Sequence, residues 1–265
     1  MRRYYDITFE NDRRVTTLRH RTLGLMRLPA AAILATTTVA CTGSNPVHPA
    51  PSPLSSHRSA VSPQPSTSPL TSASPSATDM RAARAAILKL ADVGSTYKET
   101  PYQPTAQSAQ DDAALNSCIG RPPSPVHQTA KVFSMQFSRG DTLTILASIT
   151  FVDTLETANA DIVALRGPRA EKCIKQSLLE QYRRTGGQAA VSINPLVPSP
   201  AGNEPSANYR IKVLAQTANG TIPEFLDLVQ VIKDRAEVSA TFQDVNQPVS
   251  ASIERRAMSA MLGRL

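Results

Sequence analysis

From residue 79 onward, apolar positions recur with two spacings that predict alternating groups of helices and strands. Helical spacing predicts helices over residues 79–93, 111–119, 154–166, 168–185 and 249–262. Alternating or continuous apolar runs predict strands over residues 131–138, 142–152, 189–197, 207–217, 222–232 and 236–242. Consecutive strands joined by short turns pair antiparallel. The pattern therefore predicts one α+β domain over residues 79–265, with an antiparallel sheet that helices cover on one face.

Polar residues and glycines mark the predicted ends of the first two helices. Asp79 is the predicted N-cap of the first helix, which Gly94 ends. Asp111 and Asp112 are predicted to open the second helix, where carboxylates favour the positive end of the helix dipole, and Gly120 to close it.

Turn residues predict where the sheet reverses. Arg139-Gly140-Asp141 separates two strand patterns, and we take it as a hairpin turn rather than an adhesion motif. Asn219-Gly220 is the strongest hairpin signal, because both residues tolerate positive φ. In the last helix, Ile253 and Ala257 share an apolar face and Glu254 is predicted to lie on the polar one.

The segment before the domain has a composition that cannot form a core. Residues 41–78 are dominated by Ser, Thr, Pro and Ala, with no aromatic residue and with Arg58 as the one Lys or Arg. We predict a disordered tether, which at roughly 3 Å per residue in extended polyproline conformations reaches on the order of 100 Å.

Residues 1–40 have the pattern of an export signal. Several arginines precede an uncharged apolar stretch at residues 28–40, which is too short to span a bilayer. The stretch ends in Thr38-Val39-Ala40-Cys41, which resembles the lipobox of bacterial lipoproteins. The resemblance implies a lipid on Cys41 and cleavage before it, anchoring the protein to the outer face of the cell membrane. An ordinary secretory signal, a twin-arginine signal at Arg13-Arg14 and translation from Met26 remain alternatives.

The formal charge of +7 does not indicate nucleic-acid binding. Residues 1–40 hold seven Arg against three acidic residues, whereas residues 79–265 hold twenty Lys and Arg against eighteen Asp and Glu. Most of the excess therefore belongs to the leader, and the domain lacks a basic footprint for phosphates.

Two of the three cysteines, Cys118 and Cys173, fall in the domain. In an exported protein they predict a disulfide rather than a metal site, because a zinc site needs further Cys or His ligands and the domain has only His127. Two buried free thiols are the alternative. A bond between them would join the second helix to the helix after residue 167.

The domain contains no catalytic motif, and we expect no enzyme, no cofactor and no metal. It lacks a Gly-x-Ser-x-Gly elbow, a His-Glu-x-x-His pair and a phosphate-binding glycine loop. His127 lies in a Pro-rich loop, where we expect a solvated imidazole. Asp111 and Asp112 are adjacent on a helix and point about 100° apart, which suits the helix dipole better than paired acid-base chemistry.

Four segments resemble the PknH-like extracellular sensor domains and related lipoproteins of actinobacteria: LADVGSTY, AALNSCIG, KVFSMQFS and DIVALRGPRAEKC. The resemblance spans most of residues 85–262. It implies an antiparallel sheet with helices and a cleft for a ligand. Lipoproteins with a PsbP-like α+β fold also fit the order of elements.

We therefore expect a membrane-anchored extracytoplasmic domain that binds or senses a small-molecule or envelope ligand between the sheet and the helices. The alternatives are a structural lipoprotein that docks on envelope partners, and a secreted protein without lipid. A deep cavity would favour the ligand-binding protein, and a closed core with a large exposed apolar patch would favour the docking protein.

Overall fold

A computed structural model describes residues 74–121, 127–218 and 220–265 of the chain. Cys41, the leader and most of the tether lie outside these ranges. The helices within them are α1 (Ala77–Ala86), α2 (Leu90–Val93), α3 (Ala106–Ile119), α4 (Leu155–Arg166), α5 (Pro168–Arg184) and α6 (Ala251–Leu262). The strands are β1 (Lys98–Thr100), β2 (Gln128–Phe133), β3 (Gln136–Arg139), β4 (Leu143–Val152), β5 (Gln188–Pro195), β6 (Ser206–Thr217), β7 (Gly220–Lys233) and β8 (Ala236–Val245).

All the strands join one antiparallel sheet in the order β1-β3-β4-β8-β7-β6-β5, and β2 pairs with another part of β4. The hairpin around Gly140 is confirmed, since Arg139 pairs with Leu143. Thr217 pairs with Gly220 at the tight turn between β6 and β7, while Asn219 lies outside the described residues. The predicted α+β class and antiparallel sheet are confirmed.

Helices lie against both faces of the sheet, whereas the sequence pattern predicted one covered face. Alternate residues of β7 show this. Val229 and Val231 belong to the core that contains residues of α1 and α6. Leu228 and Gln230 point to the opposite face, where they line a cavity together with residues of α3, α4 and α5. A central strand with both faces buried must be apolar along its whole length, as β7 largely is.

Several helix boundaries follow the prediction, whereas the helix predicted over residues 79–93 is divided into α1 and α2, and the starts of α1 and α3 differ. The Thr154 side chain accepts a hydrogen bond from Thr157 N–H and caps α4, as predicted. The cap of α1 is Ser76 rather than Asp79, since Ser76 Oγ accepts from Asp79 N–H at 3.1 Å. Asp79 lies in the first turn, where its carboxylate accepts hydrogen bonds from Thr129 and Arg235.

Helix α3 begins earlier than the Asp111-Asp112 pair. Thr105 caps it through a reciprocal pair of hydrogen bonds with Ser108, so the two aspartates lie in the middle of the helix. Gly120 ends it at φ +85°, a conformation that favours glycine, as predicted.

The strand predicted over residues 131–138 is divided, and one strand was not predicted. β2 and β3 are separated at Ser134, whose hydroxyl accepts from Ala147 N–H at 3.0 Å. β1, three exposed residues, lies between the first two predicted helices, where no strand was predicted. It pairs with β3 at the edge of the sheet.

Helix α6 contradicts the predicted polar face at one position. The Glu254 side chain is buried, and its carboxylate lies 3.4 Å from Arg210, which also donates two hydrogen bonds to the buried Asp227 on β7. Burial raises the pKa of the Glu254 carboxyl to about 8. The helix therefore packs on the sheet partly through a buried carboxyl group.

In the part of the chain that the structure describes, no helix combines the length and apolarity needed to cross a membrane.

Candidate functional site: the cleft beneath helix α3

The predicted disulfide is confirmed. Cys118 on α3 and Cys173 on α5 are bonded with an S–S distance of 2.02 Å and a Cα–Cα distance of 5.8 Å. The Cys118 residue is exposed, whereas Cys173 is buried. The bond fixes the C-terminal end of α3 to α5.

A second contact holds the middle of α3 to α5. Arg184 in the last turn of α5 donates to Asp111 at 2.6 Å. Leu115, one helical turn further along α3, points to the sheet and lines a cavity. Helix α3 thus lies over the sheet as a cover that α5 holds at two places.

A cluster of buried polar side chains lies on the sheet face that carries α3, α4 and α5. Arg121, which follows α3, donates to Asp161 of α4 at 2.5 Å and to Glu237 of β8 at 3.0 Å. Gln230 of β7 donates through Nε2 to the same Glu237 oxygen at 3.2 Å. We call Arg121, Asp161, Gln230 and Glu237 the Arg121 cluster. It joins α3, α4 and two central strands through charge-assisted hydrogen bonds.

Burial shifts the protonation of two groups in this region. Burial raises the pKa of Glu237 to about 8; Arg121 opposes the shift and the neighbouring Asp161 carboxyl adds to it. Partial burial lowers the pKa of Lys131 to about 7, against the attraction of Asp112 and Glu237. The Lys131 ammonium also lies 4.9 Å from the Phe133 ring centroid. The face therefore holds acid and base groups that titrate near neutral pH.

Beside the Arg121 cluster is a cleft with mostly apolar walls. It contains about 300 Å³ of unfilled space, part of it open to solvent, and its interior has room for about one water molecule. Gln230 also lines the cleft, but the surface exposed inside it is apolar. The apolar and aromatic part comes from Leu115, Leu165, Ile174, Ala207, Tyr209 and Leu228. The Tyr209 hydroxyl donates a hydrogen bond to the Leu165 carbonyl, and this bond joins the C-terminal end of α4 to β6.

Three buried oxygens of the Arg121 cluster have no hydrogen-bond partner among the described residues. They are Asp161 Oδ1, Gln230 Oε1 and Glu237 Oε1. The Asp161 carboxyl lies beside Glu237 and adds to the rise in the pKa of Glu237. The cleft itself exposes apolar surface, so these oxygens belong to the buried cluster rather than to the cleft wall.

The other residues that the sequence singled out lie elsewhere or have structural roles. His127 Nδ1 lies 2.7 Å from Asp153 Oδ2, and about a third of each side chain is exposed. The His127 hydrogen bond lowers the pKa of Asp153. His127 is thus partly exposed, as expected for a loop, but it contacts a carboxylate. Asp112 is buried on α3. In the described ranges, no group of three His, Cys, Asp or Glu side chains is placed to hold a metal ion.

Sequence reasoning did not identify Arg121, Gln230 or Glu237 as site residues. Arg121 stands between a helix-ending glycine and two prolines, and nothing local indicates that it turns inward. Gln230 is the more recognisable residue, because it interrupts the apolar run Leu228–Ile232 of a central strand. A polar side chain in such a run requires a buried partner.

No protein-family model matches the sequence, and no curated protein matches it either. Among solved structures, the crystal structure of the extracellular domain of PknH from Mycobacterium tuberculosis matches over 71% of this chain and 97% of that one. The two are 11% identical in sequence, and the TM-score is 0.39. The matched domain is of the kind that the four sequence segments resemble.

Proposed function

We propose that this protein is an extracytoplasmic lipoprotein, anchored to the outer face of the membrane through Cys41, whose domain binds a ligand in the cleft beneath α3 without catalysing a reaction. The ligand enters between the sheet and the helices.

The disulfide between Cys118 and Cys173 is the observation that carries this proposal. Disulfides persist in oxidising compartments and are rare in the cytosol, so a bond linking two helices supports export. Export agrees with the arginine-rich leader and the apolar stretch at residues 28–40.

The binding half of the proposal rests on the place and composition of the cleft, whose interior is shallow and has room for about one water molecule. Ligand sites in proteins are concave, mostly apolar, and contain a few polar groups that set orientation. The cleft has apolar walls, and Gln230, which lines it, is hydrogen-bonded to Glu237 of the Arg121 cluster. A charged cluster that shifts pKa values next to a cleft is typical of functional sites.

Native mass spectrometry tests both the lipid anchor and the ligand binding. The protein is expressed from the full-length gene and extracted in mild detergent from its own cell envelope. We expect a chain that begins at Cys41 and carries covalent acyl mass, together with a further mass that denaturation removes. The Cys41→Ala variant should lack the acyl mass and leave the membrane fraction, whereas a Thr42→Ala control should keep both. An unacylated chain of full length, or the absence of the removable mass from envelope-derived protein, would contradict the proposal.

A further inference from the structure

The exposed surface of the domain carries a larger positive excess than its sequence indicates. Fourteen of the twenty Lys and Arg residues from residue 79 onward are exposed, but only six of the eighteen Asp and Glu residues are. Eight acidic side chains are buried. Burial raises the pKa of two of them, Glu237 and Glu254, to about 8, so they carry little negative charge at neutral pH. The surface is therefore cationic, although the sequence charges of the domain nearly cancel.

On the layer formed by helices α1, α2 and α6, the acidic residues are turned away from solvent. Residues of all three helices belong to the core on one face of the sheet. Each helix carries one acidic residue, and none of these residues is exposed: Asp79, Asp92 and Glu254. Each carboxylate lies within 3.4 Å of an arginine nitrogen, on Arg235, Arg264 and Arg210 respectively. The acidic groups of this layer are thus neutralised inside the fold.

The basic residues of the same layer are exposed, and we call them the basic face: Arg81, Arg84, Lys89, Arg255 and Arg256. Helices α4 and α5, on the opposite face of the sheet, also expose basic residues, but they expose Glu156 and Glu171 as well. Beside the basic face, the turn between β7 and β8 contributes one exposed acid, Asp234, whose neighbour Arg235 donates to Asp79. The basic face therefore has the charge that an anionic surface attracts.

The chain from Cys41 joins the domain at this layer. Helix α1, which begins at Ala77, is the first element that the structure describes. A lipid on Cys41 would keep the domain within the length of the tether from the membrane, with α1 as the element nearest to the anchor along the chain. Clusters of Lys and Arg close to a membrane anchor bind anionic lipid headgroups.

We infer that the basic face binds the anionic lipid headgroups of the membrane that holds the protein. This inference rests on the lipid anchor of the proposed function and adds a surface to it. The Debye length at physiological ionic strength is about 8 Å, so the contact is weak and depends on the anchor to keep the domain near the membrane. The Cys41→Ala variant therefore still leaves the membrane fraction. The contact orients the domain with the cleft, which lies on the opposite face of the sheet, away from the lipid.

Acetylation of exposed lysines tests the inference on the protein purified from its own envelope and reconstituted in vesicles. A membrane-impermeant reagent labels Lys89, on the basic face, and Lys172, which is exposed on α5. When phosphatidylcholine vesicles contain about 30% phosphatidylglycerol, labelling of Lys89 relative to Lys172 should fall at least about threefold. The ratio should recover in about 0.5 M NaCl, because salt screens the attraction. Mass spectrometry of the peptides measures the ratio.

Two variants with equal loss of charge locate the contact. The first removes three charges from the basic face and should abolish the protection of Lys89: Arg81→Gln, Arg84→Gln and Arg255→Gln. The matched control removes three exposed charges from α5 and should keep the protection: Arg169→Gln, Lys175→Gln and Arg183→Gln. All six side chains lie on the surface, and circular dichroism checks that both variants fold.

Equal labelling ratios on neutral and anionic vesicles would overturn the inference, as would protection of Lys172 in place of Lys89, or protection that survives in the first variant. Protection of Lys89 by soluble polyphosphate but not by anionic vesicles would also overturn it, and would assign the basic face to an anionic polymer. These results leave the acyl mass and the removable mass of the purified protein unchanged. If the acyl mass is absent, the proposed anchor fails, and the same two lysines test the basic face on vesicles in about 20 mM NaCl, where screening is weak.

Discussion

Arg121 illustrates how much of the domain depends on single buried charges. Its guanidinium contacts two carboxylates that come from α4 and from β8, and its side chain is 10% exposed. Without it, the buried carboxyl groups of Asp161 and Glu237 would lose their cationic partner. Removing one partner of a buried ion pair destabilises a protein far more than removing one partner of an exposed pair. The group that remains is buried, so water cannot solvate its charge.

We expect Arg121→Met to lower the free energy of unfolding by about 3–5 kcal/mol. The control is Arg183→Met, which breaks the ion pair between Arg183 and Glu180 on the surface of α5, where the Arg183 side chain is 72% exposed. That change should cost less than about 1 kcal/mol. Urea unfolding followed by circular dichroism measures both. Equal losses in the two variants would show that the Arg121 cluster does not stabilise the fold.

The sequence was least informative about which acidic residues are buried. Glu254 lies on the face of α6 that its charged neighbours Arg255 and Arg256 predict to be exposed. It is buried because Arg210 and Asp227, far away in sequence, supply its partners. Glu237 follows the polar set of an alternating strand, which is typical of a solvent face. Helices that cover this face are encoded elsewhere in the chain.

At the scale of elements, α3 is the helix whose position depends most on cross-links. Its large buried apolar side chains are Leu115 and Ile119, and the remainder of its inward face includes Asp112 and Asn116. Apolar burial alone therefore holds it weakly to the sheet. The disulfide and the contact between Arg184 and Asp111 compensate.

Removing the disulfide by Cys118→Ser with Cys173→Ser should lower the free energy of unfolding by about 2–4 kcal/mol, because the bond closes a loop across a sequence separation of 55. The effect should be local as well. Hydrogen exchange measured by mass spectrometry should show faster exchange in α3, while α6, on the opposite face of the sheet, keeps its protection. If hydrogen exchange became faster to the same extent in α3 and in α6, the disulfide would stabilise the domain as a whole and would not hold α3 in particular.

Element boundaries were predictable where one residue determines them. Thr154 and Gly120 were identified correctly, since a hydroxyl cap and a left-handed glycine are local signals. The start of α3 was placed too late because two adjacent aspartates resemble a helix N-terminus. The correct signal was the pair Thr105 and Ser108, which follows a Pro-containing stretch that starts at residue 101.

At the scale of the whole molecule, the antiparallel sheet was predicted correctly. The prediction that helices cover one face of the sheet was incomplete, because helices lie against both faces. Most of the strands and the pairings of β3 with β4, β6 with β7 and β7 with β8 follow from apolar runs and short turns, which are local, whereas the pairing of β4 with β8 joins strands far apart in the sequence. The covering of the second face was visible in β7, where both alternating sets of residues from Leu226 to Ile232 are largely apolar. The cleft was not predictable, because its walls come from five elements that meet only in the folded chain.

The two central carboxyls on opposite faces of the sheet give the whole domain a pH dependence. Burial raises the pKa of Glu237 and of Glu254 to about 8, from an ordinary value of 4.5. Between these values the folded state binds more protons than the unfolded state. The stability that these groups contribute is therefore fully present below about pH 4.5 and is lost as the pH rises toward 8.

We expect the free energy of unfolding to fall between pH 5 and pH 7, by on the order of 2 kcal/mol per carboxyl. Glu237→Gln cannot ionise, so it should be about as stable as the wild type at pH 5, more stable at pH 7, and show roughly half the slope. The range ends at pH 7 because Lys131, whose pKa is lowered to about 7, acts in the opposite direction above it. Glu99→Gln, an exposed change on β1, is the control and should keep the wild-type slope. Urea unfolding at each pH provides the measurement. A Glu237→Gln slope equal to that of the wild type would mean that Glu237 is ionised throughout and that its pairing with Arg121 outweighs its burial.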